Sequence, residues 1–289
     1  MGSSIDDIYF LGRDKTETER LNKQHRFLLA VSDGKLIHPA IPTDNITAVA
    51  DIGTGTGVWL EDLAKILPFS KSLNLHGFDI SSAQFPPGNE VIVSGKPSIP
   101  LTVHDALNPY PVEHQGRYDL VHIRLLVAGI KEDDYAVVLK NARDLLKPMG
   151  YIQWEEVDTS AFSTNQRPEY PLITSLRAVV IRGMQKVGFC IFAPQRVFDE
   201  VLRGGFSNSQ LVRHTTIGKE HLHYEAVKWV SSIIRILVTK SLFVLGEAES
   251  EKKAAGEVEK IVQRFEEHAE GALPLVNLGV VVAQRNDSE

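Results

Sequence analysis

Cysteine is almost missing from this chain: Cys190 stands alone among 289 residues. A lone thiol excludes an internal disulfide, a CxxC pair and a cysteine zinc cluster. Between Phe189 and Ile191 it reads as a small buried residue. Long apolar runs are missing too. No 18 residues in succession are all apolar, so no membrane-spanning helix is expected. Positive charge is scarce: 31 Lys and Arg face 37 Asp and Glu, the net charge is −6, and no basic run occurs. That balance disfavours binding to a nucleic-acid backbone. Metal-ligand spacing is absent as well. His76 and His104 are scattered on predicted strands, while His221 and His223 lie two apart and face different sides of a helix. The opening six residues do not have the pattern of a signal peptide, and Asp6 replaces the Ser or Thr of a myristoylation signal. The expectation is a soluble, cytoplasmic chain without metal, nucleic acid or membrane among its partners; a homodimer is left open.

What is present is ordinary in bulk and particular in pattern. Hydrophobic residues make up 43% and charged residues 24%, as in a soluble globular protein. The length suits one large domain, or one with a helical insertion. Residues 14–31 read as a helix with Leu21, Phe27, Leu28 and Val31 on its apolar face, and Gly34, Pro39 and Pro42 break the pattern. An apolar strand then ends at Asp51, and further strands are predicted over 73–80, 99–104, 118–124 and 151–157. Helices over 58–67 and 132–147 fall between them, and the loop 81–100 has room for a short strand near 91–93. Past residue 160, helices are expected over 169–187, 194–203, 221–245 and 249–269, with strands over 209–217 and 275–283. Alternating strands and helices predict an α/β fold: a seven-stranded, mostly parallel sheet with helices on both faces.

The most informative stretch is Asp51-Ile52-Gly53-Thr54-Gly55-Thr56-Gly57, followed by Val58-Trp59-Leu60. It reads as strand, tight turn and helix. Glycine accepts positive φ and lets a ligand approach the backbone, and the following helix offers free N–H groups and a positive dipole end. The spacing is not that of the dinucleotide fingerprint, which wants its third glycine at the position of Val58. The pattern D-x-G-x-G-x-G resembles that of S-adenosylmethionine (SAM) methyltransferases. A turn with both an acid and free N–H groups suits the ammonium and carboxylate of SAM. The alternative is a structural glycine turn with no ligand.

Ligands on parallel sheets bind beyond the carboxyl ends of the strands, and Asp51, Asp79, Asp105, Arg124 and Glu156 all fall at or near such ends. Asp79 is placed to accept from both ribose hydroxyls of an adenosine, or to cap the next helix. His104-Asp105-Ala106 ends the third predicted strand; in SAM enzymes an acid there holds the adenine amino group, and Ile80 and Ala106 would wall the adenine slot. His122 is a candidate general base, or a hydrogen-bonded core histidine. Arg124 is a candidate contact to SAM or to an acceptor carbonyl. Glu155, Glu156 and Asp158 follow Trp154, where an acceptor would sit, or form a charged loop. The stretch 221–245 carries Tyr224, Val227, Trp229, Val230, Ile233, Ile234, Leu237 and Phe243, a face that serves either as core or as a lid over the acceptor.

Several blocks together resemble the fungal LaeA-like and secondary-metabolite tailoring methyltransferases. They are Tyr9 with Gly12-Arg13, Glu19-Arg20-Leu21-Asn22 with Gln24-His25, the glycine turn through Trp59, Phe78-Asp79-Ile80-Ser81, Tyr118 to Arg124, and Leu146 to Ile152. The resemblance covers residues 9–158; Met149 departs from a glycine usual before the fifth strand. It implies a Rossmann-like fold with SAM as methyl donor. It implies cofactor contacts from Tyr9, Arg13, Asp51, Gly53, Thr54, Gly55, Gly57 and Trp59, and from Asp79, Ile80, His104, Asp105, Ala106, Ile123 and Arg124. It also implies that an N-terminal helix bearing Tyr9, Arg13 and His25 closes over the site. One domain is expected, with a cap over 1–45, a SAM-binding core over 46–160, and an acceptor region over 161–289 that holds a helical insertion at 218–270. The expected activity is methyl transfer to nitrogen or oxygen of a small metabolite, with His122, Glu155, Glu156 and His25 as candidate bases. The alternatives are a regulatory methyltransferase working in a protein complex, or a SAM-binding enzyme that catalyses a rearrangement or cyclisation.

Overall fold

The computed structural model describes residues 15–68 and 73–286. Its centre is a sheet built from β1 (Ala48–Ile52), β2 (Asn74–Asp79), β4 (Ile99–Val103), β5 (Tyr118–Arg124) and β6 (Leu146–Val157), which pair parallel in the order β4-β2-β1-β5-β6. Every residue of β1 is buried, as expected of a strand covered on both faces. On the β6 side, β10 (Asn277–Arg285) and then β8 (Phe206–Thr215) add antiparallel. On the other edge lies β3 (Glu90–Val91), a two-residue strand paired antiparallel to β4. The sheet therefore has eight strands, not the expected seven; the extra one is the short strand for which the 81–100 loop had room. A separate pair, β7 (Ser163–Thr164) with β9 (Pro274–Leu275), was not foreseen.

Strand alternation decides what each face meets. On one face His122 stacks on Trp59 and Arg124 reaches His25, so α2 (Val58–Ile66) and α1 (Lys15–Val31) cover that side. On the other, Trp154 stacks against Tyr135 of α3 (Tyr135–Leu145). There a β-carbon on Gly279 would strike Pro194 of α5 (Ala193–Arg203). Three more helices, α4 (Pro171–Lys186), α6 (His223–Leu245) and α7 (Glu251–Ala269), come from the second half of the chain. α6 and α7 form the insertion before β10.

β6 begins five residues before the predicted strand. Tyr118 already pairs with Leu146, and the register then shifts so that Leu120 pairs with Tyr151. Met149 takes φ +63 within that irregularity, the left-handed conformation that explains why a glycine suits the position. Two residues assigned to the apolar face of α6 point outward: Tyr224 is 70% exposed and Phe243 39%.

Candidate functional site

A cavity of about 320 Å³ opens at the carboxyl ends of the parallel strands. Its floor is the glycine turn. Gly53, Gly55 and Gly57 all have positive φ (+70, +55 and +76). A β-carbon on Gly53 would meet Leu126 at 3.0 Å, and one on Gly55 would meet Leu21 at 3.3 Å. Gly57 is different. Its β-carbon would collide with Val91 at 2.5 Å, and it is not on the cavity wall. The third glycine lets the turn pack against β3 and β4 and serves α2 as a left-handed N-cap.

Asp79, at the end of β2, accepts the Gly55 N–H at 2.8 Å and the Ser81 N–H at 3.1 Å. It ties the turn to the next strand, while the helix-capping task falls to Ser81, whose hydroxyl accepts the Ala83 N–H. At the end of β4, Asp105 accepts the Leu107 N–H at 2.9 Å. His104 lies over Tyr110 with ring centroids 4.2 Å apart. Ile80, His104, Asp105 and Ala106 all line the same end of the cavity.

Beneath the turn runs a buried chain of charges. Asp51 accepts the Thr54 hydroxyl at 2.7 Å and the His122 Nδ1–H at 2.7 Å. The other ring nitrogen of His122 lies 3.6 Å from Glu155, and Trp59 stacks flat on the ring at 3.7 Å. Burial disfavours the imidazolium, but the hydrogen bond to Asp51 and the neighbouring Glu155 outweigh it and raise the His122 pKa. Burial pushes the Glu155 carboxyl up; His122 and Arg124 pull it further down, to a net lowering. The His122 ring therefore lies between two carboxylates that favour its protonated form. Arg124 donates to His25 Nδ1 at 2.8 Å, so the His25 proton sits on Nε2 and points at Asp62, 3.0 Å away. Burial, then the Arg124 charge, push the His25 pKa down to about 4.

The far end of the cavity is apolar. Leu176, Val180 and Met184 of α4 face Val230, Ile234 and Leu237 of α6. Arg177 is the charged residue on the α4 wall, and it is already held: it donates to Glu169 twice at 2.8 Å and to the Phe162 carbonyl at 2.7 Å. Trp229 of α6 donates to Gln24 at 3.1 Å, which joins the insertion to α1.

The structure thus gathers on one cavity wall Asp51, Gly53, Thr54, Gly55, Trp59 and Asp79, with Ile80, His104, Asp105, Ala106, His122 and Arg124. It does not bring Ile123, His25, Glu155 or Glu156 there. Ile123 sits on the opposite face of β5 from His122 and Arg124, because side chains alternate along a strand. His25 is wholly buried between Asp62 and Arg124. Glu155 is spent on His122 and Gln153. Glu156 points to the far face of the sheet, where it accepts the Trp154 indole N–H at 2.8 Å. Tyr9 and Arg13 lie outside the described residues. Sequence reasoning missed the wall from α4 and the loop 125–130; the apolar spacing of Leu176, Val180 and Met184 carried a signal for a buried face, but none for what it faces.

A mostly parallel sheet with a glycine turn and acids at its carboxyl ends, all facing one cavity, is a Rossmann-like arrangement, in which ligands bind beyond the carboxyl ends of the strands. Residues 49–150 match the family described as a methyltransferase domain. The chain is 36% identical over 163 residues to methyltransferase grgD of Penicillium sp, covering 55% of each chain. It is 32% identical over 174 residues to N-methyltransferase gliN of Aspergillus fumigatus, covering 60% of this chain and 58% of that one. The matches thus span little more than half the length of these relatives. Among solved structures, a phosphoethanolamine N-methyltransferase 2 of Haemonchus contortus, in complex with phosphomonomethylethanolamine and S-adenosylhomocysteine (SAH), has the same fold. The TM-score is 0.52 at 13% identity, over 99% of this chain and 61% of that one.

Proposed function

We propose that this chain is a SAM-dependent methyltransferase that transfers a methyl group to a small secondary metabolite, at nitrogen in preference to oxygen. The observation that carries the reading is a single cavity with a glycine turn and two strand-end acids at one end and an apolar chamber at the other. The residues fit the cofactor. Gly53 and Gly55 line the cavity at positive φ, and Asp79 and Asp105 on the same lining are the acids that would hold the ribose hydroxyls and the adenine amine. Bound SAM supplies an activated methyl group on its sulfonium. The chain then has to hold the acceptor in line with that group, and α4 and α6 supply the walls that do so; orientation of this kind accounts for much of the rate in such displacements.

Two points favour nitrogen. The relatives gliN and sirN are named N-methyltransferases. His122, the candidate base on the cavity wall, is occupied by Asp51 on one ring nitrogen, faces Glu155 with the other and is covered by Trp59, which leaves it poorly placed to take a proton from an acceptor. A neutral amine attacks without first losing a proton, so it needs no base beforehand.

Calorimetric titration with SAM and SAH tests the cofactor half of the reading. Both are expected to bind, and Asp79→Ala is expected to bind at least about tenfold more weakly while keeping its circular dichroism, the loss of about 1.4 kcal/mol that a charge-assisted hydrogen bond provides. Equal affinity in the two proteins would overturn the assignment of Asp79. Incubation with SAM and fungal metabolite extracts, read by mass spectrometry, tests the acceptor half. A methylated product with stoichiometric SAH is expected; turnover without SAH would replace methyl transfer with rearrangement.

A further inference from the structure

Glu156 is fully buried on the face of the sheet away from the cavity, yet three donors converge on it. Its Oε1 accepts the Leu126 N–H at 2.9 Å and the Trp154 indole N–H at 2.8 Å; its Oε2 lies 3.3 Å from the Val127 nitrogen. Those two amides belong to the loop that leaves β5. The loop begins with Leu125 at φ +57, a conformation costly for a leucine. It then closes a turn in which Gly129 and Ile130 donate to the Leu126 carbonyl at 2.8 and 3.1 Å. Every residue from Leu125 to Ile130 lines the cavity. Leu126 also lies directly over Gly53, leaving only 3.0 Å for a β-carbon there. A carboxylate behind the sheet thus holds a strained loop in front of it, at the junction between the glycine turn and the apolar chamber.

We propose that Glu156 is a positioning residue: by gripping the amides of Leu126 and Val127 it sets the wall shared by the cofactor turn and the acceptor chamber. The proposal rests on the SAM reading of the cavity for its functional consequence, and on the hydrogen bonds alone for its structural part. The grip depends on ionisation. A carboxylate offers both oxygens as acceptors; a protonated carboxyl turns one of them into a donor. Burial above all raises the Glu156 pKa to about 8, against the pull of Trp154 and the two loop amides. Tyr135 of α3, Cys190 and, on its own strand, Glu155 interact with it, and Glu132 and Arg196 of α5 act in turn on Tyr135 and Cys190. Below that pKa one oxygen holds the loop; above it both do.

The first test needs no ligand. The Leu126 and Val127 amide protons and the Trp154 indole proton are followed by nuclear magnetic resonance from pH 6 to 10, in the wild type and in Glu156→Gln. The three signals are expected to titrate together near pH 8 in the wild type and not at all in the variant. Failure to move together in the wild type, or the same movement in the variant, overturns the proposal. The second test is SAH affinity by calorimetry at the two ends of that range. The wild type is expected to gain at least about threefold on ionisation relative to Glu156→Gln, as preorganisation of a wall predicts. The ratio between the proteins cancels titration of the ligand and of His122. Equal pH dependence in both proteins overturns the functional part. If neither protein binds SAH, the cofactor reading fails, and the amide titration still decides whether Glu156 grips the loop.

Discussion

A histidine buried between two carboxylates is held in place by its partners. Removing His122 leaves Asp51 and Glu155 facing each other without compensation, and truncating one member of a buried charge group costs about 3–5 kcal/mol. His122→Leu is expected to lose stability on that scale in urea denaturation. The pH dependence follows from the shifts. The folded pKa of His122 lies above its ordinary 6.5, so its contribution is complete below 6.5 and fades as pH rises through the raised value. That of Glu155 lies below its ordinary 4.5, so its contribution is complete above 4.5 and fades as pH falls through the lowered value. The wild type is therefore expected to exceed His122→Leu most between those limits, and the gap should narrow on the alkaline side. At this scale the sequence was a good guide to which residues matter and a poor one to what they do. Asp51, Asp79 and Asp105 were legible as strand-end acids. The pairing of His25 with Arg124, 99 positions apart, had no local signal. Adjacent Glu155 and Glu156 had to face opposite sides of β6 by the period of a strand, but which side held the cavity depended on helices elsewhere in the chain.

Among the elements, α4 and α6 cross closely beside the apolar chamber. A β-carbon on Gly183 of α4 would overlap the side chain of Ser241 on α6 and come within 2.7 Å of its Cα. Gly183→Ala therefore has to push the helices apart, at about 1–3 kcal/mol by the usual cost of overpacking. Urea denaturation is expected to show the loss, and Ser241→Gly in the same chain to recover part of it. Recovery of none would mean that the helix backbones alone set the distance. The helices themselves were legible from apolar spacing, to within a few residues at each end. Their crossing was not, because a glycine inside α4 says only that something comes close. The β3 strand was marginal for the same kind of reason: two residues cannot set a period.

For the molecule as a whole, binding and stability are linked. A ligand held only by the folded state adds RT ln(1 + [L]/Kd), about 2.7 kcal/mol at a hundredfold excess over Kd. SAH at that level is expected to raise the thermal unfolding midpoint, and to do much less for Asp79→Ala at the same concentration. Among the described residues no helix is long and apolar enough to cross a membrane. The glycine turn and strand-end acids come from the first half of the chain, and the apolar chamber largely from the second. That division has a consequence for descent. If the proposed reading holds, gene copies can drift toward new acceptors through α4 and α6 while the glycine turn and its acids stay fixed. Cut-and-paste between relatives is less free, because β10 and β8 from the second half extend the sheet of the first. β10 is zipped to β6 from Leu278↔Val157 to Gln284↔Tyr151, so a chimera joined near residue 160 folds only if that seam still closes.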